Sequence, residues 1–134
     1  MTSRAAPCAI VPYLAYADAP AAIDFLVRAF GFEEESRMEM EDGRIGHAEL
    51  RLGDTPLFLA SVYPELGFAS PQDLQGIHTQ LFCTVDDVDR HYARARDAGA
   101  TVISMPRDRE FGHREYRALD CEGGRWIFAA PLPA

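Results

Sequence analysis

The sequence predicts an α+β chain built from two copies of a strand–helix–strand–strand–strand unit, and three coincidences carry that prediction. Asp18, able to cap a helix, precedes the helix-stopping Gly31 by 13 residues, and Asp86 precedes Gly99 by the same 13. Both landmarks repeat at an offset of 68 residues. The same offset carries the apolar run Leu57–Ala60 onto Arg125–Phe128, so the last strands of the two units coincide as well. Unrelated helices would need neither matched caps and stops nor matched final strands, so duplication is the simplest account.

Ala9–Tyr16 is short, apolar and aromatic and reads as a strand, with Pro12 marking a sheet edge because it lacks an amide donor. Asp18 then caps a helix, Pro20 suits its first turn, and Ile23, Leu26, Val27 and Phe30 share one face at helical spacing. Beyond Gly31 and the acidic run Glu33–Glu35, read as a solvated strand entry, Met38 and Met40 alternate with charge up to Glu41-Asp42-Gly43, a hairpin signal. Ala48, Leu50 and Leu52 alternate with His47, Glu49 and Arg51, as in a half-buried strand, and Pro56–Val62 forms the fourth. Residues 63–76 lack periodicity and are rich in turn formers, so they read as a linker between units at about 9–62 and 77–131 of a single 134-residue domain. In the second unit, Thr79–Val85 is a strand and Val88, Tyr92 and Ala95 mark a helix. Thr101–Met105, Arg114–Leu119 and Arg125–Ala130 supply three further strands, with Pro106–Gly112 a charged loop.

Composition narrows the function classes. Thirteen Lys and Arg against 21 Asp and Glu leave a net charge of −8, which speaks against nucleic acid and against an anionic membrane surface as partners. No apolar run approaches the ~20 residues of a membrane span, and no secretory leader is evident. The three cysteines, Cys8, Cys83 and Cys121, form no CxxC pair and read as free, mostly buried thiols, so a cytoplasmic location is expected. GxGxxG, GxxxxGK[ST] and GxSxG motifs are all missing.

Tyr16-Ala17-Asp18 with Phe25 and Gly31-Phe32, Val85-Asp86-Asp87-Val88 with Ala98-Gly99-Ala100, and Leu119-Asp120-Cys121-Glu122-Gly123 before a Trp-bearing last strand together resemble the vicinal-oxygen-chelate superfamily. Its members include glyoxalase I, bleomycin-resistance proteins and extradiol dioxygenases. The resemblance runs from Ala9 to Pro131, and Gly112–Arg117 is most similar to the small bacterial glyoxalase/bleomycin-resistance type. It implies a U-shaped mixed-sheet trough with helices outside, a ligand on the concave side, and a homodimer. Catalytic members hold a divalent metal with residues from the first and fourth strands of each unit, which stabilises an enediolate or activates oxygen.

Matched by distance to each helix-leading aspartate, the first-strand positions are Val11 and Gln80 and the fourth-strand positions Leu59 and Ile127, of which only Gln80 offers a coordinating atom. Neither metal nor other cofactor is therefore expected; a nonstandard site using His47, Glu49 and His78 is the alternative. Strand parity then sets Leu14, Tyr16, Leu81, Cys83, Trp126 and Phe128 toward the helices. The trough face would carry Val11, Tyr13, His47, Glu49, Leu57 and Leu59 from the first unit. From the second it would carry Gln80, Phe82, Arg114, Tyr116 and Ile127. Aligning Leu52 with Leu119 pairs His47 with Arg114 and Glu49 with Tyr116 across the duplication. His91 and His113 are expected at the surface.

Three functions fit these residues. The leading one is a protein that binds or sequesters a small organic molecule in an apolar trough with a few converging polar groups. The second is a lyase-, isomerase- or dioxygenase-type enzyme that uses the nonstandard metal site or metal-free acid/base chemistry of His47, Glu49 or Tyr116. The third is a trough filled by side chains in a domain that serves as a dimeric interaction partner.

Overall fold

A computed structural model describes residues 9–133 of the chain. The first unit runs β1 (Tyr13–Tyr16), α1 (Ala19–Phe30), β2 (Glu33–Glu39), β3 (Ile45–Leu52) and β4 (Thr55–Ser61). The second runs β5 (Leu81–Thr84), α2 (Val88–Asp97), β6 (Thr101–Asp108), β7 (His113–Leu119) and β8 (Arg125–Pro131). Each unit forms a four-stranded mixed sheet, ordered β1-β4-β3-β2 and β5-β8-β7-β6, with the first strand parallel to the fourth. β1 is an edge strand, where the missing amide of Pro12 does no harm. It begins at Tyr13, four residues later than the apolar run suggests, and β6 extends through Asp108 into the stretch expected to be loop. The linker is ordered by two short 3-10 turns, Pro64–Leu66 and Pro71–Asp73. Among the described residues no helix is long and apolar enough to cross a membrane.

The helix caps correct the repeat register. Asp18 Oδ1 accepts from the Ala21 amide at 3.1 Å, and its counterpart is Asp87, whose Oδ1 accepts from the Arg90 amide at 3.0 Å. Asp86 has no part in the cap. The helix starts thus repeat at 69 residues, and α2, at 10 residues, is shorter than the 12-residue α1. The left-handed stops at Gly31 (φ 82°) and Gly99 (φ 98°) still lie 68 apart because the shorter helix absorbs the difference.

The two helices cap one another at their C-terminal ends, where carbonyls lack partners within the helix. Arg94 donates to the carbonyls of Arg28 and Val27, His91 Nε2 donates to that of Phe30 at 2.8 Å, and Arg28 donates to that of Ala98 at 2.8 Å. Beneath them lie Tyr16, Leu26, Phe30, Leu50, Trp126 and Phe128, each at most 2 % exposed and each worth about 1.5–3 kcal/mol of burial. Tyr116 joins this core, stacked on Phe128 with ring centroids 5.4 Å apart.

The turn between β7 and β8 ties the units together. The Asp120 carboxylate accepts from Tyr16 Oη (2.6 Å), Trp126 Nε1 (3.0 Å) and two turn amides. The carboxylate of Glu122 accepts from the amides of Ala17 and Asp18 and from the Ser70 hydroxyl, joining the start of α1, the linker and the second sheet. Of the cysteines, Cys8 lies outside the described residues. Cys83 and Cys121 are free, with burial the main cause that pushes each thiol up to about 12. Cys121, at the tip of that turn, is an exposed residue whose thiol is only partly shielded, where a buried thiol was expected.

Candidate functional site

Cross-strand partners share a face of a sheet, so the pairing register fixes which side chains point away from the helices. In the first sheet Tyr13 pairs with Phe58, Phe58 with Glu49, and His47 with Met38, which puts these five residues on the open face. Leu59 pairs with Leu14 and Ala48 on the opposite, helix-facing side and is fully buried. In the second sheet Phe82 pairs with Ile127 and Ile127 with Arg117, so Glu115 and His113 also belong to the open face.

On the first sheet's open face three polar groups form one chain. Tyr13 Oη lies 2.5 Å from His47 Nδ1, and His47 Nε2 lies 2.8 Å from Glu49 Oε2. An ionised carboxylate can only accept, so Nε2 carries the proton, Nδ1 presents a lone pair and the Tyr13 hydroxyl donates to it. Aromatic rings pack around the Tyr13 ring, which meets Phe58, Phe68 and the His47 imidazole edge-on at 5.7, 6.0 and 5.3 Å between centroids. Burial, followed by the charge of Glu49 and by Tyr63, raises the Tyr13 phenol above its ordinary value. It therefore stays protonated in the free protein.

The second sheet carries a different cluster. Glu115, 1 % exposed, accepts from His113 Nε2 at 2.9 Å and from Arg117 Nε at 2.7 Å, with Arg109 at 4.0 Å. Burial works to raise this carboxyl, but the hydrogen bonds from Arg117 and His113 outweigh it and hold the group below the usual carboxylate range. Phe82, 55 % exposed, packs edge-on against His113 at 5.4 Å, and Phe111, 70 % exposed, also lies against it, tilted, at 5.5 Å. These rings and the end of β8 enclose a recess of about 230 Å³. A second recess, of about 180 Å³, lies under the linker between Phe68, Leu74, Leu81 and Trp126.

Several expected positions move. Tyr116 is fully buried on the helix side of β7, its hydroxyl on His91 Nδ1 at 2.5 Å, because its partner Phe128 faces the helices. Arg114 shares that phase and pairs with Asp89 and Asp108 at 2.9 and 3.0 Å. Leu57 and Leu59 yield the open face to Phe58. Gln80 precedes β5, is exposed, and lines the recess under the linker with His78. Across the duplication His47 corresponds to Glu115 and Glu49 to Arg117, replacing the Arg114 and Tyr116 correspondence. Tyr13, His47, Glu49, Phe82 and Ile127 do lie on the open faces. Sequence reasoning missed Phe58, His113, Glu115 and Arg117. The alternation in His113–Arg117 would have revealed the last three had its phase been set from Phe128.

At the corrected register, the positions at which the resemblance places a metal are Val11, Phe58, Gln80 and Ile127, which offer a single amide among apolar groups. Among the described residues no three His, Cys, Asp or Glu side chains converge on a point that could hold a metal ion. The residues at these positions do not fit the group.

Residues 7–128 match the family described as the Glyoxalase/Bleomycin resistance protein/Dioxygenase superfamily. The uncharacterized protein Rv0887c of Mycobacterium tuberculosis is 35 % identical over 127 residues, covering 92 % of this chain and 75 % of that protein. TioX from Micromonospora sp. ML1 is 35 % identical, with a TM-score of 0.74 over 94 % of this chain and 100 % of that one. A glyoxalase/bleomycin resistance protein/dioxygenase family enzyme from Burkholderia phytofirmans is 25 % identical, with a TM-score of 0.70 over 90 % and 95 % of the two chains. Paired βαβββ sheets, matched sequence and matched structures agree: the chain belongs to the glyoxalase/bleomycin resistance protein/dioxygenase superfamily.

Proposed function

We propose that this protein binds a small, planar organic molecule on the open faces of its sheets, without a catalytic metal, and that a second copy of the chain completes the site. The observation that carries the reading is the pairing, on both sheets, of a solvent-exposed aromatic ring with a hydrogen-bonded polar group. Tyr13 is 44 % exposed beside His47 and Glu49, and Phe82 is 55 % exposed beside His113 and Glu115. Exposed rings in such number mark a surface that is covered in use. Their polar neighbours supply the few directional contacts that orient a ligand. Apolar residues at three of the four metal positions, with one neutral amide at the fourth, support the metal-free part of the reading.

Thermal-shift measurements with and without divalent ions, over a panel of planar aromatic acids and phenols, test the proposal. A ligand at 100 times its dissociation constant should stabilise the fold by about 2.7 kcal/mol. Stoichiometric metal in the purified protein, with a fold that weakens on its removal, would overturn the metal-free reading. Sedimentation should give a dimer that Phe82→Asp converts to monomer; a monomeric wild type would remove the second copy from the site.

A further inference from the structure

The Tyr13 hydroxyl has one hydrogen, and that hydrogen is committed to His47 Nδ1. What the oxygen still offers the open face is lone pairs, so it can only accept from a ligand. The group placed against it must therefore be a donor. Behind Tyr13, His47 is oriented as a base is oriented in a hydrolytic triad, one nitrogen fixed by a carboxylate and the other free to take a proton. Around Tyr13, the rings of Phe58 and Phe68 meet it edge-on and make an apolar, aromatic setting that suits a flat, unsaturated partner.

We infer that Tyr13, His47 and Glu49 form a proton relay that binds an aromatic hydroxyl or enol and takes up its proton, Tyr13 being the residue in contact with the ligand. The inference rests on ligand binding at the open face. The step balances without any further reactant. The ligand O–H bond breaks as an O–H bond forms at Tyr13, the original Tyr13 O–H bond breaks as an N–H bond forms at His47 Nδ1, and the imidazolium that results faces the Glu49 carboxylate. The ligand is left as its anion, hydrogen-bonded to a neutral Tyr13. Neither the second sheet nor the core repeats this arrangement: Glu115 is held by His113 and Arg117 with no tyrosine in line, and the Tyr116–His91 pair is closed off by the helices.

Two measurements test the relay. Long-range 15N–1H NMR of the free protein should find His47 in the Nε2–H tautomer; an Nδ1–H tautomer would reverse the chain and overturn the proposal. 4-Nitrophenol, whose anion absorbs in the visible, then serves as the probe, at a pH one unit below its own pKa. Bound to wild type it should be largely ionised, and bound to Tyr13→Phe the ionised fraction should fall at least tenfold, while chemical-shift changes at Phe58 and Phe68 show that the ring still docks. Docking to wild type without ionisation, or equal ionisation on both proteins, overturns the relay and leaves ligand binding standing. No docking to wild type overturns both.

Discussion

The protein contains the same pair of hydrogen bonds twice, in two different settings. Tyr13 donates to Nδ1 of His47, whose Nε2 donates to Glu49; Tyr116 donates to Nδ1 of His91, whose Nε2 donates to the carbonyl of Phe30. Each tyrosine oxygen is 2.5 Å from its histidine nitrogen. The third group separates them. A carboxylate can stabilise an imidazolium, while a helix-end carbonyl is a neutral acceptor that gains its own missing partner. Exposure separates them further, since Tyr116 is sealed between Phe128 and Tyr92 and Tyr13 is 44 % exposed. One pair is built to hold two helices in place, the other to meet something that arrives from outside.

Truncation should break the comparison most clearly. His91→Ala strands the Tyr116 hydroxyl and the Phe30 carbonyl and empties space against Phe128, whose ring centroid is 4.2 Å from the imidazole. A loss of about 3 kcal/mol is expected from the cavity and the unpaired groups together. His47→Ala, on a half-exposed face, should cost under ~1 kcal/mol. Urea unfolding of both variants decides it, and equal losses would mean that burial does not distinguish the pairs.

Acid should act through the buried pair. Burial is the main cause that lowers the His91 imidazole below its ordinary 6.5, so between that value and its folded-state pKa the unfolded chain binds the extra proton. Stability contributed by the neutral ring is present above about pH 6.5 and is lost as pH falls toward the folded pKa, with a slope of at most about 1.4 kcal/mol per pH unit. Glu115 adds acid sensitivity of the same sign, in a separate window below its ordinary 4.5. Denaturant unfolding from pH 7 down to about pH 2 should show both phases, and His91→Gln should remove the upper one. A curve unchanged by that substitution would count against a neutral, partly buried His91.

Removing single hydroxyls gives a finer test. Tyr116→Phe leaves Nδ1 of His91 without a donor inside the core and should cost about 1–2 kcal/mol. Tyr13→Phe, with water at hand, should cost about 0.5 kcal/mol or less. If Tyr13→Phe proves the more costly in urea, the open-face chain is a structural support after all.

The two pairs differ also in how far the sequence discloses them. The duplicated unit, both helices and all eight strands were legible, because apolar alternation and helix stops are local signals. The helix-facing set Leu14, Tyr16, Leu81, Cys83, Trp126 and Phe128 followed from strand parity and stands. The error was one residue wide. In Asp86-Asp87 either aspartate can cap a helix, and choosing the first gave an offset of 68 for the fourth strands, which repeat at 69 as the first strands and helix starts do. A slip of one residue turns every side chain of a strand to the other face. Leu59 thereby took the place of Phe58, and a separate one-residue slip in β7, from aligning Leu52 with Leu119 at 67 where that strand repeats at 68, brought Tyr116 out of the core and hid Glu115. His91 was read as surface because α2 shows only a short apolar stripe, and the Phe30 carbonyl that claims it comes from 61 residues away.

The smallest energetic effect is expected where the chemical one is specific. Glu49→Gln keeps the shape of the side chain and removes the charge on a pair whose members are 30 % and 43 % exposed, so stability should change by no more than about 0.5 kcal/mol. A glutamine amide, however, can donate as well as accept, and it no longer dictates which nitrogen of His47 carries the proton. With the orienting charge gone, an Nδ1–H tautomer becomes accessible, the Tyr13 hydroxyl loses its acceptor, and the imidazolium loses the group that stabilises it. The variant should therefore show a mixed His47 tautomer by 15N–1H NMR and a reduced ionised fraction of bound 4-nitrophenol, at nearly unchanged unfolding midpoint. An unaltered tautomer with full ionisation of the phenol would show that Glu49 plays no part in the chain, and would leave Tyr13 and His47 as a pair like the one in the core.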